Sequence, residues 1–332
     1  MVARSGAICQ IPRWRRDLAS AFKEPAELLG YLGLDPDSLP TGNAGLPLLA
    51  PRGFADCMEA GNPDDPLLRQ VLPCALEEQR CAGFVNDPVG DTNALRTPGL
   101  LQKYPGRALL IATTRCAVHC RYCFRRHLRQ HWLATPSSRI PSALTEIAAD
   151  DSIRELILSG GDPLLLGDTQ LTQLINAIEA VPHLHRLRIH TRVPIVLPSR
   201  VTAELCRLLA TTRLQVLVVV QVNHAHELSE SSYDALAALR RADTQLLNQS
   251  VLLRGVNDDA ASLIRLSEAL SDGGVLPYYL HLLDRVQGAA HFEVGEARAC
   301  ELMGEVRARM PGYLVPRLVR EEAGGSAKTL IG

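Results

Sequence analysis

Three cysteines stand close together in one short segment, as Cys116, Cys120 and Cys123. Thiolates with the spacing C-x3-C-x2-C can ligate three corners of a four-iron, four-sulfur cluster. The fourth iron then has no protein ligand and is open to a small molecule, whereas an electron-transfer cluster has a fourth cysteine. A zinc ion would need one more ligand than this segment supplies, and inert buried thiols are the remaining alternative. The spacing favours the cluster.

Two further features could take part in chemistry. The segment 159–164 reads Ser-Gly-Gly-Asp-Pro-Leu, and its two glycines would let the backbone approach a ligand closely, although such a segment alone is only a turn. Chemistry that needs an amine has few candidates, because the chain has only the lysines Lys23, Lys103 and Lys328. The other cysteines show no comparable grouping, and we expect them to be structural: Cys9, Cys57, Cys74, Cys81, Cys206 and Cys300.

Strand-like and helical patterns alternate after about residue 107. The expected strands are 108–112, 155–158, 187–190, 215–222, 246–253 and 276–283. The expected helices are 143–149, 170–180, 202–210, 231–241, 260–270 and 296–310. Six such units predict an α/β fold with a parallel sheet in an open or partial barrel. The cysteines follow the first strand and the glycines end the second, where such folds carry their chemistry.

The first hundred residues differ from the rest, since Pro and Gly breakers separate short helical patterns at 14–32 and 66–79. We therefore expect a mostly helical N-terminal region over 1–100, a barrel core over 101–317 and a short C-terminal tail over 318–332. Lys+Arg 35 against Asp+Glu 36 gives no bulk attraction to nucleic acid. No apolar stretch is long enough to span a membrane. Nine cysteines without a secretory signal indicate a reducing compartment, and we expect the cytoplasm.

The cysteine triplet and the glycine segment resemble the signature of radical S-adenosylmethionine (SAM) enzymes. The resemblance narrows to the lysine 2,3-aminomutase family over about residues 60–328, through the segments 103–107, 222–224, 247–258, 277–279 and 315–316. It implies a radical SAM partial (β/α)6 barrel, an isomerase activity, and pyridoxal phosphate (PLP) beside SAM and a [4Fe-4S] cluster. Segments 61–70 and 283–292 resemble the short branch that makes (R)-β-lysine from (S)-α-lysine for elongation factor P.

The resemblance also implies roles for single residues. Lys328 aligns with the lysine that forms a Schiff base with PLP. The alternative is that Lys328 is an ordinary basic residue of a frayed C-terminal tail. Lys103, Tyr104 and Arg107 match the contacts to the PLP phosphate, and Lys103 replaces the usual arginine. The resemblance and the strand-end position together indicate these SAM contacts: Ser159, Gly160, Gly161, Asp162, Asn248 and Gln249. The two amides could instead satisfy backbone groups.

The substrate contacts complete the implied site. Arg125 matches the arginine that binds the substrate carboxylate, for which a guanidinium fork is suited. Asp284 and Glu321 match two carboxylates that hold the distal ammonium, with Glu321 in place of Asp. An acidic pair favours lysine over glutamate, and ordinary surface ion pairs are the alternative. Asp259 stands where lysine-degrading mutases have a zinc-binding cysteine. The sequence up to Gly332 does not contain their cysteine-rich C-terminal extension. Zinc and their mode of oligomerisation are therefore not implied.

Two rivals to this reading stay open at the level of the sequence. One is a mutase that makes a β-amino acid for small-molecule metabolism, and the other is a non-catalytic iron–sulfur or zinc protein. The implied partners are L-lysine, a ligase for elongation factor P that receives the product, and an electron donor such as flavodoxin or ferredoxin. We expect no nucleic-acid partner and no membrane association.

Overall fold

One open sheet organises the protein. The computed structural model describes residues 11–39, 41–42, 45–127 and 136–332, with side chains from residue 139 after the last gap. Ten strands lie in the sheet in chain order. They are β1 Leu95–Thr97, β2 Leu100–Leu101, β3 Arg107–Thr113, β4 Glu155–Gly160, β5 Arg186–Thr191, β6 Gln215–Val220, β7 Gln245–Val251, β8 Leu276–His281, β9 Arg317–Arg320 and β10 Thr329–Leu330.

The strands from β3 to β9 are parallel, whereas β1, β2 and β10 are added to the edges as antiparallel partners. All six expected strands are present as β3 to β8, and the α/β radical SAM fold class is confirmed. Two further strands, β9 and β10, extend the sheet beyond the six expected ones. The C-terminal tail is therefore a strand pair of the same sheet. The expected boundaries at 100/101 and 317/318 fall inside β2 and β9, and the three-part division stays a prediction.

Among the described residues, the helices before residue 70 precede the sheet, and those from Pro136 onward connect the parallel strands. They are α1 Arg13–Ala19, α2 Pro25–Tyr31, α3 Arg52–Ala55, α4 Pro66–Arg69, α5 Pro136–Ala148, α6 Asp168–Glu179, α7 Val193–Val196, α8 Ala203–Thr211, α9 Glu230–Arg241, α10 Ala260–Asp272 and α11 Glu296–Arg309. The longer ones are amphipathic, and α6 buries Leu171, Leu174 and Ile178 toward the sheet. β4 and β6 are covered on both faces, and their apolar runs are nearly continuous, whereas β5 and β7 alternate buried residues with less buried ones.

The N-terminal region is less helical than its sequence predicts. The pattern over 14–32 divides into α1 and α2 because Pro25, at the first turn of α2, cannot continue a preceding helix. The pattern over 66–79 divides into α4 and a short 3-10 helix over Ala75–Glu78, because Pro73 between them cannot continue a helix. The large side chains Trp14, Phe54 and Leu67 are buried in the same core as the strands β3 and β4. The region therefore covers the barrel instead of forming a core of its own.

None of the helices in the described part of the chain has the length and apolar character that a membrane crossing requires.

Candidate active site

A cavity of about 470 Å³ opens at the carboxyl ends of the parallel strands. It collects residues from the loops after β3, β4, β5 and β8, from β7 and from the C-terminal strand pair. The expected site residues that line it are Lys103, Tyr104, Arg107, Cys116, Cys120, Cys123, Arg125, Ser159, Gly160, Gly161, Asp162, Gln249, Asp284, Glu321 and Lys328. Asn248 is the one expected site residue outside this lining.

The cysteine loop leaves the end of β3, and all three of its cysteines face the cavity. Among the described residues, no three His, Cys, Asp or Glu side chains converge closely enough to hold a single ion. In an iron–sulfur cluster each thiolate binds a separate iron, so these three cysteines on one loop are the residues that would hold a cluster. Of the other cysteines, Cys9 lies outside the described residues, and the rest do not line the cavity.

A buried ion triad of Glu77, Arg121 and Arg126 holds the cysteine loop in place. Arg121 donates from Nε and Nη2 to the two carboxylate oxygens of Glu77, at 2.7 and 2.5 Å. Arg126 donates from Nη2 to Glu77 at 2.5 Å. Although burial opposes ionisation of Glu77, the two arginines lower its pKa below its usual range. Because Arg121 and Arg126 flank Cys123 in the sequence, the triad fixes the backbone that carries the cysteines.

The glycine segment is packed against the start of the cysteine loop. A Cβ on Gly161 would lie 2.1 Å from the carbonyl oxygen of Arg115, and one on Gly160 would lie 2.4 Å from that of Thr113. Gly160 also has a φ of +118°, which side chains rarely adopt. The glycines are therefore needed for the approach of two backbone segments. Both glycines also line the cavity, and the expectation that they let the backbone approach a ligand stays a prediction.

The carboxylate of Asp162 is hydrogen-bonded to other groups of the protein. It accepts hydrogen bonds from Thr191 Oγ1 at 2.7 Å and from the backbone N–H of Arg192 at 2.7 Å. It also accepts from the backbone of Val193 and Leu164. Burial raises the pKa of Asp162 above its ordinary value. Asp162 thus joins the loops after β4 and β5, and its effect on a ligand is through the loops that it positions.

The two amides expected to contact SAM have different environments. Asn248 is 1% exposed, and its side chain accepts from the backbone N–H of Val222 at 2.9 Å and donates to the Val222 carbonyl at 3.1 Å. Of the two alternatives for Asn248, these contacts favour the one in which its side chain satisfies the backbone, and it does not line the cavity. Gln249 follows Asn248 in β7 and points to the opposite face of the strand, toward the cavity.

Arg125 is held by a buried carboxylate that sequence reasoning missed. Its Nε lies 2.6 Å from Asp91 Oδ2, and its Nη1 donates to Ser159 Oγ at 3.1 Å. Asp91 is fully buried, and its second oxygen lies 2.7 Å from Lys103 Nζ. Although burial opposes ionisation, Arg125 and Lys103 lower the pKa of Asp91. The carboxylate therefore holds one guanidinium and one ammonium on the same wall of the cavity.

Glu321 is paired with both lysines of the site. Lys103 Nζ lies 2.8 Å from Glu321 Oε1, and Lys328 Nζ donates to Glu321 Oε2. Burial opposes ionisation, but Lys328 and Lys103 lower the pKa of Glu321 to about 2. The side chain of Lys328 is 18% exposed, so its amine is turned into the cavity and is not part of a frayed tail.

Asp284 is a carboxylate without a cation. No ion pair connects it to any residue in the described ranges. Burial, and the negative charge of Glu321, raise its pKa to about 7. An ammonium group brought by a ligand would remove this cost. Asp284 is thus the acidic group of the cavity that is available to a cationic ligand.

One side of the cavity is formed by three tyrosines and the guanidinium of Arg107. Arg107 stacks over the ring of Tyr104 at 4.5 Å. Burial raises the pKa of Tyr104 to about 12, so its hydroxyl stays protonated and can donate a hydrogen bond. Tyr278 and Tyr279 line the same side, with 3.7 Å between their ring centroids. This combination suits an aromatic anion.

Several cavity residues were not predicted. His190, Arg192 and His281 stand at or just after the ends of β5 and β8. Their position at the carboxyl ends of parallel strands was a signal that could have found them. Asp91 lies in an irregular stretch of the N-terminal region, and no pattern in the sequence marks it.

Comparison with known proteins defines the class first. The model of the Radical SAM superfamily matches residues 110–266, which include the cysteine loop and the glycine segment. A radical SAM methyltransferase from Sphaerobacter thermophilus is a solved structure with a TM-score of 0.44 and 18% identity, over 67% of this chain and 68% of that chain. The chain is a radical SAM protein, and this class implies a [4Fe-4S] cluster and SAM as cofactors.

The particular family follows from more similar relatives. The L-lysine 2,3-aminomutase of Escherichia coli (strain K12) is 48% identical over 95% of this chain and 93% of that protein. The enzyme of the same name from Haemophilus influenzae is 46% identical over 96% and 95%. That from Clostridium subterminale is 36% identical over 83% of this chain and 66% of that protein. The chain belongs to the L-lysine 2,3-aminomutase family, which is a family of isomerases.

Proposed function

We propose that this protein is a lysine 2,3-aminomutase that converts (S)-α-lysine to (R)-β-lysine with a [4Fe-4S] cluster, SAM and PLP. The observation that carries the proposal is that Lys328 lines the same cavity as Cys116, Cys120 and Cys123. More than two hundred residues separate Lys328 from these cysteines in the sequence. An amine for PLP and thiolates for the cluster therefore line one cavity.

The cluster and SAM would be held on the cysteine and glycine loops. Cys116, Cys120 and Cys123 would each bind one iron and leave the fourth for SAM. Ser159, Gly160 and Gly161 line the cavity beside them, and Gln249 faces the same space. Cluster and SAM together supply a carbon radical that removes an unactivated hydrogen, and PLP supplies the π-system through which the amino group moves.

The residues around Lys328 fit PLP. Lys328 is the one lysine near the cavity whose amine contacts a single carboxylate, because Lys103 bridges two. Glu321 accepts from the Lys328 ammonium and can take part in moving its proton. Arg107 and Tyr104 offer a guanidinium and a protonated hydroxyl to a phosphate group.

Lys103 fits the phosphate role less well than its neighbours. Its ammonium lies between Asp91 and Glu321, at 2.7 and 2.8 Å. A cation already paired with two carboxylates has little charge to offer to a phosphate. We propose that Lys103 acts mainly as the bridge that keeps the two acidic groups in place, while Arg107 carries the phosphate contact.

The charges of the cavity match the poles of lysine. Among the described residues, Nε and Nη1 of Arg125 bind Asp91 and Ser159, and Nη2 is the nitrogen that it offers to the substrate carboxylate. Asp284 has no protein cation and can receive the distal ammonium. Glutamate would place a second carboxylate beside Asp284 and Glu321, which is unfavourable. The charge distribution therefore supports lysine as the substrate.

Incubation with SAM, PLP, a reductant and a panel of amino acids, all without oxygen, tests the proposal. We expect chiral product analysis to show (R)-β-lysine from lysine, and no β-product from glutamate, alanine or arginine. SAM cleavage and PLP absorbance with no β-amino acid would contradict the mutase activity. Absence of both would favour a non-catalytic iron–sulfur protein.

We further propose that the β-lysine is transferred to elongation factor P by a separate ligase, and that a flavodoxin or ferredoxin reduces the cluster in the cytoplasm. The resemblance of segments 61–70 and 283–292 to the short branch supports this role. Mass spectrometry of elongation factor P, from cells with and without the gene, tests it. Unmodified elongation factor P in both would instead favour β-lysine for small-molecule metabolism.

A further inference from the structure

One buried guanidinium reaches a cysteine of the candidate cluster site. Arg192 follows β5 directly, and its Nη1 donates to Cys120 Sγ at 2.9 Å. Its side chain is only 6% exposed. We propose that Arg192 is a positioning residue that sets the reduction potential of the cluster through this N–H···S bond. The inference rests on the proposed function, because it requires that Cys120 binds the cluster.

The guanidinium is held in place by a network that leaves it little freedom. Its Nη2 donates to Glu227 Oε2 at 2.8 Å and to Gln70 Oε1 at 2.7 Å. Glu227 is fully buried, and its other oxygen accepts the backbone N–H groups of Asn223 and His224 at 2.9 and 3.1 Å. With Nη2 fixed by two acceptors, the planar guanidinium directs Nη1 at the sulfur.

The network continues to the other side of the cysteine loop. Tyr122 stands between Cys120 and Cys123, and its hydroxyl accepts from Asn223 Nδ2 at 2.7 Å. Asn223 Nδ2 also lies 3.0 Å from Gln70 Oε1, the acceptor that Arg192 uses. The cysteine loop and Arg192 are therefore fixed to the same buried side chains. Because Arg192 and the cysteine loop share these hydrogen-bond partners, neither can move without displacing the other.

Arg192 also joins the cluster loop to the glycine loop. Its backbone N–H donates to Asp162 Oδ2 at 2.7 Å, while its side chain contacts Cys120. A single residue thus contacts the loop that carries the thiolates and the loop expected beside SAM.

The sign of the effect follows from charge. An N–H donor to a cluster sulfur, and a positive charge near it, stabilise the reduced cluster, which carries one more negative charge. Removal of the guanidinium should therefore shift the midpoint potential to a more negative value. Arg192→Met removes both the charge and the donor, whereas Arg192→Lys keeps a charge but loses the fork that reaches Gln70, Glu227 and the sulfur together.

The test is an EPR-monitored redox titration of anaerobically reconstituted protein without SAM. We expect Arg192→Met to lower the reduced-to-oxidised ratio at a fixed potential by about tenfold, which corresponds to about 59 mV for a one-electron couple. Arg192→Lys should shift the same way by less. The matched control is Arg200→Lys, since Arg200 is fully buried but donates to the carbonyls of Leu164 and Leu166. Its midpoint potential should equal that of the unaltered protein.

Unchanged potentials in both Arg192 variants, at an iron content equal to the unaltered protein, would overturn the inference. If both variants lose iron, a second measurement decides. Unaltered protein labelled with ¹⁵N-arginine should show a nitrogen hyperfine coupling to the reduced cluster, and the absence of this coupling would also overturn the inference. Unaltered protein that assembles no cluster would instead contradict the proposed function.

Discussion

Lys103 and Glu321 form an ion pair in which Nζ lies 2.8 Å from Oε1, and the same ammonium lies 2.7 Å from Asp91 Oδ1. This contact joins the N-terminal region, the approach to β3 and the end of β9 on one wall of the cavity. Because Lys328 pairs with the other oxygen of Glu321, this carboxylate is saturated before any ligand arrives. We therefore expect the distal ammonium of a substrate to bind Asp284.

Lys328→Ala should abolish the visible absorbance of PLP bound through a lysine, while the iron content stays unchanged. The reason is that Lys103, the other lysine of the cavity, is held between two carboxylates. Anaerobic visible spectra with and without PLP measure the change. Lys23→Ala is the matched control, since Lys23 is exposed outside the cavity. A retained PLP band in Lys328→Ala would show that another amine is used.

Asp284→Asn should raise the KM for lysine by at least about tenfold, because a neutral amide attracts an ammonium far less than a carboxylate does. The pKa of Asp284 is about 7, so in the unaltered protein the carboxylate gains its charge as pH rises through 7. We expect the KM to fall between pH 6 and pH 8 in the unaltered protein and to stay flatter in the variant. Equal pH profiles would contradict the role of Asp284.

The same carboxylate makes the protein less stable at higher pH. The pKa of Asp284 is raised from 3.8 to about 7. Between these values the folded state binds a proton that the unfolded state has lost, so this contribution to the free energy of unfolding falls as pH rises. Without ligands, Asp284→Asn should have the higher melting temperature at pH 8 and lose this advantage toward pH 4. Calorimetry at both pH values measures it, and a variant that melts lower at pH 8 would refute the prediction.

Glu77→Gln should destabilise the fold by about 3–5 kcal/mol, because it leaves the buried guanidiniums of Arg121 and Arg126 without a counter-charge. Denaturant unfolding of the protein without cluster gives this value directly. Glu204→Gln serves as the control, since the Glu204–Arg207 pair is well exposed and should contribute very little. If both variants unfold at the same denaturant concentration, the triad does not stabilise the loop.

Cys120→Ala should remove most of the iron, since the remaining two thiolates hold a cluster poorly. Iron analysis and the visible spectrum after anaerobic reconstitution measure the loss. Cys206→Ala is the control, because Cys206 lies in α8 and does not line the cavity. Full iron content in Cys120→Ala would exclude this cysteine as a ligand.

Local patterns were sufficient for the elements of the barrel. β4 and β6 are nearly uninterrupted apolar runs, as strands covered on both faces require. Over 186–190, β5 alternates buried apolar residues with less buried polar ones, and this alternation also marks a strand. The cysteine triplet and the glycine segment were equally visible, since their spacing is a property of one loop each. The N-terminal helices were less predictable, because single prolines end them early and their length depends on packing against the barrel.

The sequence by itself determined which side chains are available: three clustered thiolates, three lysines and the arginine after the last cluster cysteine. Only the tertiary structure decided which of them act together. It brought Asp91 between Arg125 and Lys103, turned Asn248 to the backbone of Val222, and placed Arg192 against Cys120. The physical reason is that charge pairing depends on distance in space, and a buried ion finds its partner across the fold whatever their separation along the chain.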